Sequence, residues 1–234
     1  KAIHTIVESL ESLSQYPHPQ KPSGIYLLVG GSGIGKTQTA KSLAKLLNRN
    51  FVKLDMSEYS EPSSVSKIIG SPPGYVGYDD HSSVLHEIIL KPNTILLLDE
   101  IEKAHPTVMN LFLQVFDEGV IKDNHHHKIS FKDSLIIMTS NVSSHNQPSV
   151  GFKKKTFSQE SLKDVFSQEF MNRIDEIVPY QMLKKKDLKE ILKKNAPVEL
   201  SDEMIHDILL DYDTTLGARH LLSKMKKYLV SNSR

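Results

Sequence analysis

The apolar run Ile25-Tyr26-Leu27-Leu28-Val29 leads directly into Gly30-Gly31-Ser32-Gly33-Ile34-Gly35-Lys36-Thr37, and a helical pattern continues to Leu47. A strand that turns through glycines into a helix is half of a strand-helix-strand unit. Phe51-Val52-Lys53-Leu54-Asp55, short and partly alternating, supplies the second strand. Strands joined through a helix lie parallel, so the pattern predicts an α/β fold with a parallel sheet flanked by helices. The spacing G-x-x-x-x-G-K-T adds chemistry to this geometry. Its glycines allow positive φ and let backbone N–H groups approach phosphate oxygens at the positive end of the helix. Lys36 can place a charge on the β/γ oxygens, and Thr37 can offer a hydroxyl to Mg2+. Read as a plain glycine turn, the stretch leaves Lys36-Thr37 unexplained.

Two further apolar runs end in polar residues. Thr94-Ile95-Leu96-Leu97-Leu98 ends in Asp99-Glu100 and reads as a strand buried on both faces. Its carboxyl end shares the sheet edge of the glycine loop, where open parallel sheets bind ligands. There Asp99 can hold the Mg2+ shell while Glu100 deprotonates an attacking water; helix capping is the plainer alternative. Leu135-Ile136-Ile137-Met138-Thr139 ends at Ser140-Asn141, and the Asn141 amide can position water beside a phosphate or simply cap a turn.

The remaining segments are arranged around these. Ile3, Ile6, Val7, Leu10 and Leu13 predict a leading amphipathic helix. Residues 60–83 read as a loop whose tip carries Tyr75 and Val76 between Gly74 and Gly77; the pair either points outward or plugs the core. A helix opened by Pro106 ends at Gly119. Two strands then flank Asp123-Asn124-His125-His126-His127, where consecutive histidines point to alternate faces and favour a solvated hairpin tip over a metal site. Val150-Gly151-Phe152 is an apolar triplet in a polar segment, either a partner hook or folded back. Residues 158–171 predict one helix, and Ile177-Val178 a last strand. From Gln181 the chain turns to Lys-rich helices, so we expect a large α/β domain over 1–180 and a small helical one over 181–234, hinged near Pro179.

Length and composition bound the partners. The 234 residues suffice for one large and one small unit, and a formal net charge of +1 advertises neither nucleic acid nor membrane. Without cysteine there is no disulfide or thiolate metal site. No apolar run approaches about 18 residues, so no membrane span is expected. The chain does not begin with Met and reads as an excised piece. Among its basic residues only Arg49, Arg173, Arg219 and Arg234 are arginine, which is suggestive where a planar bidentate cation must meet a phosphate, surface salt bridges being the alternative.

Taken together, GGSGIGKT, GSPPGYVGY, ILLLDEIEKAHP, IIMTSN, EFMNRIDEIV and LGAR occur in the order in which they occur in the second ATPase module of the Clp/heat-shock AAA+ unfoldases, and nearly the whole chain resembles that module. The resemblance implies an AAA+ domain with a helical lid, a homo-hexameric ring, ATP or ADP with Mg2+ bound between subunits, and polypeptide substrates. It implies that Lys36 and Thr37 belong to the Walker A loop Gly30, Gly31, Ser32, Gly33, Ile34, Gly35, and Asp99 and Glu100 to Walker B. Asn141 is similar to the sensor-one amide, Arg219 to the sensor-two arginine of the lid, and Arg173 to the finger that reaches a neighbour's γ-phosphate. Tyr75 and Val76 match the pore-loop pair that grips a threaded chain.

Val150, Gly151 and Phe152 stand where ClpA- and ClpC-type members carry a loop that docks into a ClpP-type peptidase, which implies a protease-coupled unfoldase with a peptidase-independent ClpB-like disaggregase as the alternative. A nucleic-acid motor on the same scaffold is the rival from another class, and the near-neutral charge argues against it. A bacterial cytoplasm, or an organelle stroma or matrix, is the implied location. The chain departs from the family pattern in Gly31-Ser32, where Pro-Thr is usual, and in a shortened lid at Asn195-Ala196.

Overall fold

The computed structural model describes residues 2–71, 74, 84–142, 160–210 and 212–232. Its sheet runs in the order β2 (Asn50–Asp55), β3 (Thr94–Asp99), β6 (Leu135–Ser140), β1 (Gly24–Val29), β7 (Glu176–Pro179), every pair parallel. β1 is buried along its whole length because helices cover both faces. Its side chains alternate accordingly: Ile25, Leu27 and Val29 join one core, Tyr26 and Leu28 the other. The first core is closed by α5 (Pro106–Glu118) through Phe112 and Phe116, and the second by α1 (Ala2–Gln15) and α2 (Lys36–Leu46) through Ile6, Ala40 and Leu43. The sequence expectation of a parallel sheet between helices is met.

Local signals fix most boundaries. Pro106 opens α5 behind the cap His105, whose ring accepts from the Thr107 N–H, and the left-handed Gly119 ends it. The hairpin strands are β4 (Val120–Lys122) and β5 (Lys128–Ser130), and Asp123 closes the tip by accepting from the His125 and His127 N–H groups. The expected loop is corrected within 60–71: a 3-10 turn at Pro62–Ser64 runs into α3 (Val65–Ile69), whose Ile68 is fully buried. Val65, Ile68 and Ile69 already carry helical spacing. A short α4 (Val84–Leu90) comes next, anchored by Leu85 and Ile88. The single helix expected over 158–171 is two, α6 (Glu160–Lys163) and α7 (Gln168–Met171), because the Ser167 hydroxyl accepts from the Phe170 N–H and starts a new helix.

Beyond β7, α8 (Lys185–Asn195), α9 (Asp202–Leu209) and α10 (Gly217–Ser231) enclose a separate core of Leu188, Leu192, Leu200, Ile205, Ile208, Leu221 and Met225. Pro197 to Leu200 forms no strand. No helix among the described residues is long and apolar enough to cross a membrane.

Candidate active site

The carboxyl ends of β1, β3 and β6 bring the polar residues that succeed them to one edge. Gly30 to Gly35 form a loop in which Gly33 (φ 71°) and Gly35 (φ 103°) are left-handed, and α2 starts at Lys36 without a side-chain cap. The first N–H groups of α2 are thus left for an anion, as a phosphate-binding loop requires.

Lys36 is only 7% exposed, and its three ammonium protons serve the Gly30 carbonyl at 2.7 Å, the Gly31 carbonyl at 2.7 Å and Asn141 Oδ1 at 2.8 Å. Burial pushes its pKa down to about 8, although Glu102, Asp99 and Glu100 pull the other way. With all three donors engaged, an arriving phosphate must take one over. Asn141 Oδ1 is the exchangeable partner, since the other two belong to the loop itself.

Asp99 ends β3 and is gripped from several sides. Thr37 Oγ1 lies 3.2 and 3.3 Å from its two oxygens, and the Thr139 hydroxyl donates to Oδ1 at 2.5 Å. Lys53 Nζ pairs with Oδ2 at 2.7 Å. Burial opposes charge on Lys53, but the hydrogen bond and attraction of Asp99 outweigh it and raise the pKa. The donor set fits the expected metal: Thr37 hydroxyl and Asp99 carboxylate are hard oxygen ligands converging beside the phosphate loop, which suits Mg2+.

Glu100 takes a left-handed conformation (φ 56°, ψ 53°) that turns the chain sharply out of β3, its N–H held by Thr139 Oγ1 at 3.0 Å. Asn141 Nδ2 donates to Glu100 Oε1 at 2.9 Å. One amide therefore joins Lys36 on one side to Glu100 on the other. Left-handed backbone at a residue with a side chain is strained by about 1 kcal/mol or more, and such strain concentrates at functional positions.

The start of α10 touches this edge directly. Ala218 N–H donates to the Gly33 carbonyl at 2.8 Å, and a Cβ on Gly217 (φ 71°) would come within 2.7 Å of the Ser32 carbonyl. Gly217 thus permits α10 to start against the phosphate loop, and Arg219 lies in its first turn as an exposed side chain. At the base of the loop, Tyr180 N–H donates to the Val29 carbonyl at 2.7 Å and its hydroxyl to Thr39 Oγ1 at 2.6 Å.

Arg173 is elsewhere. It sits before β7, near Asp175, whose carboxylate accepts from the Ile25 N–H at 2.7 Å. That is the amino edge of the sheet, about 16 Å along β1 from Gly30 at the usual rise of a strand. Its guanidinium is engaged with Asp117 Oδ1 and Oδ2, each at 2.7 Å, the Glu169 carbonyl at 2.6 Å and Glu169 Oε1 at 3.1 Å. Tyr75, Val76, Val150, Gly151 and Phe152 lie outside the described residues.

Sequence reasoning missed Lys53, Thr139, Glu102 and Tyr180. Lys53 had one available signal: it shares a strand face with Asp55, opposite the buried Val52 and Leu54, and the β2–β3 register pairs Asp55 with Asp99. Glu102 stood next to the acids already singled out.

An AAA domain model of the Cdc48 subfamily matches residues 21–177. The chain is 45% identical over 180 residues to the chaperone protein ClpB of Malacoplasma penetrans, covering 76% of this chain and 25% of that protein. It is 37% identical over 243 residues to ClpB of Prochlorococcus marinus, with 94% and 28% covered. The ATP-dependent Clp protease ATP-binding subunit ClpE of Streptococcus pneumoniae is 38% identical over 233 residues, with 90% and 31% covered. The chain thus spans between about a quarter and a third of the length of these relatives.

Proposed function

The chain belongs to the AAA domain family and is a Clp-type module within it, and on that premise we propose that it binds ATP on the loop from Gly30 to Thr37 and hydrolyses it to ADP with Glu100 as general base. The observation that carries this reading is the Asn141 side chain bridging Lys36 and Glu100. It couples the group that meets the phosphate to the group that activates water. Thr37 and Asp99 would hold Mg2+, and the ion would neutralise charge on the phosphates. Arg219, in the first turn of the helix that abuts the loop, would serve as a second cation for the nucleotide. We treat 1–180 as the ATPase domain and 181–234 as its lid.

Arg173 cannot serve its own chain's site from the opposite sheet edge, so its role as a finger requires a second subunit, in keeping with a homo-hexameric ring. Tyr75 and Val76 then grip a polypeptide, and Val150-Gly151-Phe152 docks a ClpP-type peptidase. The name of the pneumococcal relative favours protease coupling, whereas the relatives named as chaperones favour a peptidase-independent disaggregase. The bacterial sources of these relatives support a cytoplasmic location.

Mixing the full-length protein with its cognate peptidase, ATP and a folded substrate tests the reading. Degradation that stops on deletion of 150–152 or with Tyr75→Ala, while phosphate release continues, is the expected outcome. Reactivation of aggregates without degradation would favour the disaggregase, and absence of phosphate release would exclude both.

A further inference from the structure

Glu102 lies in the 3-10 turn Ile101–Lys103 that the left-handed Glu100 sets up, with Ile101 fully buried as its anchor. The turn brings the Glu102 side chain back under the end of β6, where Oε1 accepts from the Asn141 main-chain N–H at 2.9 Å. Position explains why a side chain is needed there. β6 pairs with β3 only as far as Leu98 and Met138, so β3 has already turned away where β6 runs out through Ser140 to Asn141. The next N–H facing that side lacks a strand carbonyl, and the carboxylate takes its place.

The other carboxylate oxygen, Oε2, is closed to solvent and has no hydrogen-bond partner among the described residues. A buried unpaired acceptor is costly, and an apolar side chain in the same turn would avoid that cost. The carboxylate must therefore be accounted for by what Oε1 and the charge do. Its hydrogen bond through Oε1 goes to the main chain of the residue whose side chain reaches Glu100, and its other oxygen is closed to solvent.

We propose that Glu102 is a positioning residue for hydrolysis: its carboxylate holds the main chain at Asn141 and, through it, the Asn141 side chain against Glu100, the contact that stays when a phosphate takes over the Lys36 donor. The proposal rests on the hydrolytic role given to Asn141 above. Placement of a bridging amide matters in the transition state more than in nucleotide binding, so turnover should suffer and affinity should not.

The test uses the full-length assembled protein, with phosphate release giving kcat and KM, a fluorescent ADP analogue giving affinity, and a thermal midpoint confirming the fold. Glu102→Ala should lower kcat about tenfold or more, the usual scale for a lost hydrogen bond to a charged group, with analogue affinity changed less than about threefold. Glu102→Gln keeps an oxygen that can accept from Asn141 and should return to within about threefold of the parent. Glu102→Ala combined with Asn141→Ala should be no slower than Asn141→Ala alone, because both act through one group. Should Glu102→Ala lose its folded transition, Glu102→Met, similar in length and without a carboxylate, is scored by the same criteria. Multiplying effects in the double variant, or Glu102→Gln as slow as Glu102→Ala, would overturn this proposal while leaving Asn141 in its role. Parental turnover by Asn141→Ala would remove that role and this proposal with it.

Discussion

The two edges of the sheet hold their charged residues in opposite ways. At the carboxyl edge, Lys36, Asp99, Glu100 and Asn141 follow three strands: the Asn141 side chain joins Lys36 to Glu100, and the Thr139 hydroxyl joins Asp99 to the Glu100 N–H. At the amino edge, Arg173 is held by Asp117 and Glu169, and four of its five N–H donors are used there. A phosphate needs a pair of adjacent donors, so Arg173 in this state can offer no fork without releasing a carboxylate. The first edge ties its charged groups to one another, whereas the second holds a cation satisfied locally and about 16 Å along the sheet from the glycine loop. The ring proposed above, in which one edge would meet the other, accounts for that asymmetry.

Removing each charge in turn should separate the two edges. In the assembled full-length protein, Arg173→Ala should reduce ATP turnover by about 10³-fold, on the scale of arginine fingers, while fluorescent-nucleotide affinity of the isolated chain stays unchanged. A change in the isolated chain's affinity would place Arg173 in its own site. Glu100→Gln should cost about 10²-fold or more in phosphate release, with nucleotide still bound, and unlike Arg173→Ala it should also abolish the residual turnover of a monomer.

Smaller effects separate the edges by their response to pH. Because burial holds the folded-state pKa of Lys36 near 8, below its ordinary 10.5, the unfolded chain binds the extra proton between those values. Stability should accordingly rise with pH through that window, by about 2 kcal/mol from pH 7 to 10, an increment absent from Lys36→Met in urea titrations. Bound nucleotide should erase it, since a phosphate favours the charged ammonium. Asp117 has the same slope in a lower window: its hydrogen bond to Arg173 holds the carboxyl below its ordinary value, so the unfolded chain again binds the extra proton. Its contribution is present near neutrality and lost as pH falls through the acid range. The pair is partly exposed, so Asp117→Ala should cost no more than about 1 kcal/mol of thermal or urea stability. A larger loss would make the pair a structural clamp and weaken the case for a releasable finger.

Much of the carboxyl edge was legible beforehand because its information is local. Glycine spacing, an apolar run ending in two acids, and another ending in Asn141 each mark where a strand stops and which polar group stands at its end. In a parallel sheet those ends share an edge, so Lys36, Asp99, Glu100 and Asn141 could be placed together from order along the chain. The segment from Pro62 to Ile69 misled for a related reason: its serines and prolines outweighed three apolar residues at helical spacing, and burial of Ile68 against the core decided the matter. The break between α6 and α7 turned on a single hydroxyl, Ser167, whose role as a cap depends on the chain's local path.

Residue order alone was enough for the strand-helix-strand frame, the phosphate loop and the identity of the acids and amide around it, since each is written in residues near one another along the chain. Their partners were set by packing. Lys53 reaches Asp99 because the strands pair with Asp55 beside Asp99, and Glu102 reaches the Asn141 main chain because a left-handed Glu100 turns β3 back beneath β6. Packing likewise consigned Arg173 to the far edge, bound to Asp117 across 56 residues. Periodicity reports which face a side chain occupies; strand register and a turn's handedness set what it meets, and both are settled when distant segments pack.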